Sequence, residues 1–315
     1  MRENDTSPLK QRSNNTANLR LCNVSRFTSE LLELKADNPS FHVLFIPGNP
    51  GVVSFYKEFV ERVFEMLEGR ASVTAIGHIG HTMKNWESGR LFSLQDQIDH
   101  KIDFIKQEIQ TSEIPLLLVG HSIGSYISLE VFRRAPEQVK YCIGLYPFLT
   151  LNKDSLLQNL IGKIAASQLL STILGSVVAL LGFFPSYATR FFVRRSLGKS
   201  WSSTAVEALC SHLLKFHTVR NTLFMAKKEF EKFAEGPDWI FIRERQDQVA
   251  FLFGIDDHWG PLSLFEEISK EAPEVGLAIE REGHTHGFSC TVAGSVWVGD
   301  HVVGLIKQQF ESKQY

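Results

Sequence analysis

The chain is predicted to fold as an α/β protein with a mostly parallel sheet covered by helices on both faces. Three observations lead there. Short apolar runs alternate with stretches whose apolar residues recur at spacings of three and four, the patterns of buried strands and amphipathic helices. One apolar run ends in Gly120-His121-Ser122-Ile123-Gly124 and passes directly into a helical stretch. The alternation then lapses from Tyr146 to about Gln248, roughly a hundred residues, too many for a loop in a compact domain. A largely helical lid is therefore expected after the strand ending near Leu145, dividing the chain into a core (21–148 and 249–315) and an insertion (149–248).

Taken in order, residues 1–20 are polar and read as a disordered tail, and Asn23–Lys35 reads as a hairpin strand pair at the sheet edge. Phe41–Ile46 is a buried strand that stops at Pro47-Gly48-Asn49-Pro50-Gly51. Helical spacing of Phe55, Phe59, Val63, Phe64 and Leu67 predicts a helix over Ser54–Leu67, and Ala71–Ile76 is the next strand. Ile98, Ile102, Ile105 and Ile109 mark a helix over Leu94–Ile109. Strand Ile114–Val119, a helix to Arg134 and strand Val139–Leu145 follow. After the insertion, strand Val249–Phe253, helix Leu262–Lys270, strand Val275–Ile279 and helix Ser295–Gln309 resume the pattern.

Composition narrows the function classes. With 315 residues and 43% hydrophobic content, the chain can build one large domain plus an insertion. A net charge of −2 provides no basic field for nucleic acid. Cys22, Cys142, Cys210 and Cys290 follow neither metal nor disulfide spacing and read as reduced thiols of a protein on the cytosolic face. Residues 1–20 lack the apolar core of a secretory signal, so the chain is not expected to be secreted.

Ser122 carries the chemical argument. A serine at a strand-to-helix turn, flanked by glycines two positions before and after, is the nucleophile elbow of an α/β hydrolase. The turn is tight enough that a side chain at either flanking position would collide with strand or helix. The helix N-terminus beneath it favours the negative charge that develops at a reacting carbonyl. A serine hydroxyl needs a histidine base oriented by a carboxylate, and on this fold the acid precedes the histidine in the chain. Gly254-Ile255-Asp256-Asp257-His258-Trp259-Gly260-Pro261 offers the acid at a strand end, with Asp257 favoured over Asp256 by the proline four residues on. Glu282-Gly283-His284-Thr285-His286-Gly287-Phe288 offers the base, with His286 favoured over His284 because a small residue follows it. The two backbone donors of an oxyanion hole are expected from Ile123, just after the nucleophile, and from Asn49, since Pro50 has no N–H. His78 and His81 lack a third nearby ligand and read as loop or site-rim residues. His121 reads as packing beside the nucleophile. Neither a metal nor a cofactor is expected.

Within the insertion, Leu169–Phe184 runs sixteen residues without a charge before Pro185 breaks it, short of the roughly 20 residues a membrane span requires. Leu169, Leu174, Leu180, Phe183 and Phe184, followed by Phe191 and Phe192 among arginines, combine apolar, aromatic and basic groups as an interfacial anchor does. The reading is a lid embedded shallowly in a lipid surface, as a helical hairpin turning near Gly182–Pro185. A buried cap over an apolar pocket is the alternative.

Ile46-Pro47-Gly48-Asn49-Pro50-Gly51 with Phe55-Tyr56, the Gly-His-Ser-Ile-Gly elbow, Tyr146-Pro147, Gly254-x-x-Asp257-x-Trp259-x-Pro261 and His286-x-Phe288 together resemble the lipid droplet-associated hydrolase family from about residue 20 onward. The resemblance implies a serine lipid hydrolase on lipid droplets and the endoplasmic reticulum, acting on sterol esters in cholesterol and triglyceride turnover. It carries the family's triad onto Ser122, Asp257 and His286. Asp256 and His258 beside Asp257 depart from the expected acidic loop. A second function class is a droplet-surface interaction protein that keeps the fold but turns over little. A third is an esterase for small soluble esters whose lid only caps the pocket.

Overall fold

The computed structural model describes residues 16–109, 114–197 and 200–311. Of the tail expected over residues 1–20, residues 1–15 lie outside this range, and Asn18–Arg20 already belong to a strand. The hairpin pairs β1 (Asn18–Val24) with β2 (Phe27–Leu34), antiparallel with Val24 opposite Phe27. The first strand thus starts five residues before the expected hairpin. The intervening Ser25 and Arg26 both take positive φ, 48° and 75°. That is the conformation of a two-residue hairpin turn, ordinarily signalled by Asn-Gly or Asp-Gly.

β3 (Phe41–Ile46) leads through a 3-10 turn, Val53–Tyr56, into α1 (Lys57–Met66), so the helix expected from Ser54 begins as a tighter turn. β4 (Ala71–Ile76) and α2 (Leu94–Glu108) follow, the latter started by a capping box between Ser93 and Asp96. β5 (Leu116–His121), α3 (Ile123–Arg134) and β6 (Val139–Leu145) complete the first half of the core. The insertion contributes α4 (Leu156–Ala166), α5 (Gln168–Leu181), α6 (Ser186–Leu197), α7 (Ser203–Ala208), α8 (Phe216–Lys232) and α9 (Trp239–Glu244). The core resumes with β7 (Val249–Gly254), α10 (Leu262–Glu271), β8 (Gly276–Glu280) and α11 (Val292–Glu311).

The sheet order is β1-β2-β4-β3-β5-β6-β7-β8, with every pairing from β4 to β8 parallel. Successive side chains of a strand point to opposite faces, and β3 shows the consequence. Val43 and Phe45 pack with Phe59 of α1 and Val302 and Ile306 of α11. Leu44 and Ile46 pack with Leu118, Ile127, Phe132 and Ile268 on the other face. Burial on both faces explains why the parallel strands are apolar without alternation. Ile46 stands opposite Gly120 and His121 opposite Leu145. The C-terminal strand ends therefore lie side by side, and their loops share one edge of the sheet.

Among the described residues, no single helix is long and apolar enough to cross a membrane. α4 and α5 meet that standard together but are bent by 99° at their junction. Near Gly182–Pro185, where the hairpin turn was expected, α5 ends at Leu181 and α6 begins at Ser186.

The glycines of the elbow are sterically required. A Cβ on Gly120 would lie 2.2 Å from the Gly124 carbonyl oxygen, and one on Gly124 would lie 2.2 Å from that of Ile46. Gly124→Ala should therefore cost about 3 kcal/mol or more, because backbone rather than a flexible side chain must move. Its thermal unfolding midpoint should drop clearly below that of the wild type; an unchanged midpoint would contradict this packing.

Candidate active site

Ser122 occupies the turn between β5 and α3 with φ 55° and ψ −122°. A non-glycine residue with positive φ is strained and persists only where its surroundings fix it. Here the Ser122 N–H donates to the Leu145 carbonyl at 2.9 Å, and its own carbonyl accepts from Ser125 and Phe148 N–H at 3.0 and 3.2 Å. Ser122 is 8% exposed. Ile123, as the first residue of α3, carries one of the N–H groups that find no acceptor within a helix.

The acid and base alternatives separate by geometry. Asp257 is buried, and its Oδ2 accepts from His286 Nδ1 at 2.9 Å while Oδ1 accepts from Trp259 N–H at 2.9 Å. Asp256 is exposed. His286 has its ring centroid 4.8 Å from that of His121, the residue preceding Ser122. The His284 ring instead lies 5.8 Å from Trp297, and its carbonyl accepts from Tyr146 Oη at 3.3 Å. Asp257 and His286 are thus paired in the loops after β7 and β8, with His286 packed beside His121, the neighbour of Ser122 at the end of β5.

The loop after β3 borders the nucleophile. A Cβ on Gly48 would lie 3.1 Å from Ser122 Cβ and 3.1 Å from His121 Nδ1, so only hydrogen leaves this approach unstrained. The Gly48 N–H is occupied by Tyr56 Oη at 3.2 Å. The next N–H along the loop is that of Asn49, the expected oxyanion donor. His81 Nδ1 accepts from Gly51 N–H at 2.8 Å, and a Cβ on Gly51 would meet the His78 ring at 2.2 Å. Burial lowers both imidazoles, His81 to about 3, so they pack as neutral supports of this loop.

Around the elbow, Tyr56 Oη shares a 2.7 Å hydrogen bond with His121 Nδ1. Burial, reinforced by the nearby His286, pushes His121 well below the ordinary histidine range. A neutral imidazole here places no like charge beside a protonated His286. Phe288 stacks on Tyr146 at 5.7 Å and meets His121 edge-on at 5.1 Å.

Sequence reasoning missed the supports supplied by the insertion. Asn49 Nδ2 donates to the Thr222 carbonyl and to Glu229 Oε1, both at 2.9 Å, so α8 grips the loop from above. Gln158 of α4 donates through Nε2 to the His258 carbonyl at 2.7 Å, bracing the acidic loop. These partners lie 173, 180 and 100 positions apart, and no local pattern records such contacts. Tyr56 was visible only as part of the Phe55-Tyr56 pair.

The expected lipid-facing residues point outward. Leu169 is 70% exposed, Phe183 83%, Phe191 63% and Phe192 62%; Leu174, Leu180 and Phe184 are exposed as well.

The profile of the family described as "Lipid-droplet associated hydrolase" matches residues 39–289. A relative from Gallus gallus named lipid droplet-associated hydrolase is 29% identical over 267 residues, covering 79% of this chain and 80% of its own. A Dictyostelium discoideum relative of the same name is 27% identical over 275 residues, covering 82% and 86%. Among solved structures, a haloalkane dehalogenase from Bradyrhizobium elkani superposes with a TM-score of 0.69 at 14% identity, covering 94% of this chain and 99% of that one. That likeness is one of fold: the α/β-hydrolase architecture, as expected from the elbow.

Proposed function

The chain belongs to the lipid-droplet associated hydrolase family, and from that premise we propose that it is a serine ester hydrolase working at a lipid droplet or endoplasmic reticulum surface, with sterol esters as its leading substrate class. The observation that carries the reading is the Asp257–His286 hydrogen bond at the strand end beside the strained Ser122. In this reading Ser122 Oγ attacks the ester carbonyl while His286 Nε2 takes its proton. Asp257 holds the ring tautomer through Nδ1 and stabilises the imidazolium. The tetrahedral oxyanion is met by the main-chain N–H groups of Ile123 and Asn49. Collapse breaks the C–O bond, and the departing sterol oxygen takes the proton from His286. Water, deprotonated by the same imidazole, then clears the acyl group and returns Ser122.

The apolar faces of α4, α5 and α6 support the second half of the reading. Leu156 is 85% exposed, and Phe183, Phe184, Phe191 and Phe192 are exposed as well, so three successive helices present large apolar side chains to solvent. Arg194 and Arg195 are exposed and follow these rings along α6, where cations would suit lipid phosphates, while Arg190 pairs with Glu207 at 2.7 Å. Lipid esters dissolved in a droplet would then be presented to the site by the segment that also braces it.

Two experiments test these halves separately. A panel of sterol ester, triglyceride, phospholipid and short acyl ester substrates, run on wild type and Ser122→Ala, should show sterol ester turnover that the variant lacks; equal turnover by both refutes the hydrolase. Flotation with phospholipid-coated triglyceride emulsion tests the surface. The double variant Phe183→Ser/Phe184→Ser should bind about tenfold or more weakly, each ring being worth roughly 1.5–3 kcal/mol on full burial. Unchanged flotation would remove these residues from the anchor.

A further inference from the structure

A buried acid 180 positions from Asn49 stands against the loop after β3. Glu229, on α8, is 3% exposed, and its Oε1 accepts from Asn49 Nδ2 at 2.9 Å. The second hydrogen of the same amide goes to the Thr222 carbonyl at 2.9 Å. Thr222 and Glu229 lie seven residues apart, about two turns along one face of α8. The Asn49 amide is therefore clamped by two acceptors on one rigid element. Behind that element, Phe230 packs at Gly162 of α4 and Phe216 at Gly175 of α5, where an added Cβ would lie 3.2 Å from either ring. Gly48 and Gly51, on either side, are tied by Tyr56 and His81. The clamp on Asn49 is the tie that comes from the insertion.

A carboxyl group at this depth is an expensive way to fill space. Burial pushes Glu229 up to about 8, so it stands largely neutral at pH 7. An apolar side chain of similar length would serve packing alone at lower cost. What it could not do is accept the Asn49 hydrogen and so hold the residue whose main-chain N–H faces the reacting carbonyl. Misplacing such a donor by a fraction of an ångström weakens it in the transition state far more than in the ground state.

We propose that Glu229 is a positioning residue: by accepting a hydrogen bond from the Asn49 side chain, it fixes the Asn49 main-chain N–H as an oxyanion donor. The proposal rests on the serine hydrolase reading above. It makes the insertion part of the catalytic apparatus as well as a lipid-facing surface. Thr222, acting through its main chain, sets the direction of the amide, and Glu229 sets its hold.

The test uses the full-length chain and a soluble short acyl ester, so that lipid binding does not enter. Glu229→Met keeps the volume and removes the acceptor; Glu229→Gln keeps an acceptor oxygen at the same position. The Met variant is expected to melt at or above the wild-type temperature. Its kcat should fall about tenfold or more with KM changed less than about twofold. The Gln variant should keep kcat within about twofold of wild type, a rescue that simple loss of packing does not predict. Wild-type kcat in a folded Glu229→Met overturns the proposal, and so does a Gln variant as slow as the Met variant. Glu229→Leu is run alongside, and failure of both apolar variants to fold makes the contact a folding determinant and equally overturns it. Ser122→Ala is the control that separates the two readings. If Ser122→Ala is inactive while Glu229→Met matches wild type, positioning fails alone; if Ser122→Ala still turns over, the hydrolase reading itself has failed.

Discussion

Ser122→Ala is expected to reduce ester hydrolysis by roughly a thousandfold or more while leaving the fold intact. The fold should survive because the turn is made by its neighbours. Gly120 and Gly124 leave room for the crossing of strand and helix, and the main-chain bonds from Ser122 to Leu145, Ser125 and Phe148 involve no hydroxyl. Alanine tolerates the turn no worse than serine, since both carry one Cβ at φ 55°. Only the nucleophile is removed. The residue left behind should still bind substrate, so KM is expected to change little and kcat to carry the loss. Initial rates on a soluble ester, with circular dichroism to verify the fold, measure this.

His286→Ala should match Ser122→Ala in severity, since nucleophile and base act as a unit. Asp257→Ala should be no worse than His286→Ala, because the acid works only through the ring it orients: its Oδ2 meets His286 Nδ1 at 2.9 Å. His284→Ala should retain near-normal turnover, its ring being packed near Trp297 instead of Asp257. The ordering is informative. Collapse in His284→Ala with normal rates in His286→Ala would reverse the choice of base, and equal loss in both would point to damage of the whole loop.

The fold was legible where burial and sterics act locally. Strands buried on both faces are predominantly apolar, so β3, β4, β5, β6 and β7 announce themselves as short runs despite His42, Ser72, Thr74 and Lys140. The elbow is legible because glycine alone fits at positions 120 and 124. The first hairpin was misplaced because Ser25-Arg26 adopts a turn that usually advertises itself with asparagine and glycine. β8 runs to Glu280, one residue beyond the apolar run, since that carboxylate is buried and accepts the Glu282 N–H.

At the site, sequence left Asp256 against Asp257 and His284 against His286 open, because adjacent and alternate residues of a turn share the same local chemistry. Burial of Asp257 and its bond to His286 distinguish them. The supports around the nucleophile were less accessible still. Tyr56, His81 and Glu229 hold Gly48, Gly51 and Asn49 of the loop beside it, and Gln158 holds His258 of the acidic loop, from four separate parts of the chain. The contacts of Gln158 and Glu229 are set by how the insertion sits on the core, and those of Tyr56 and His81 by how neighbouring core loops meet, which no periodicity encodes.

Incubation with a fluorophosphonate probe, followed by mass spectrometry of the peptides, addresses the nucleophile most directly. One phosphonyl adduct per chain is predicted, on the peptide spanning Gly120–Gly124 and specifically on Ser122, with labelling lost in His286→Ala. An unlabelled wild-type protein, or an adduct on any other serine, would contradict the account.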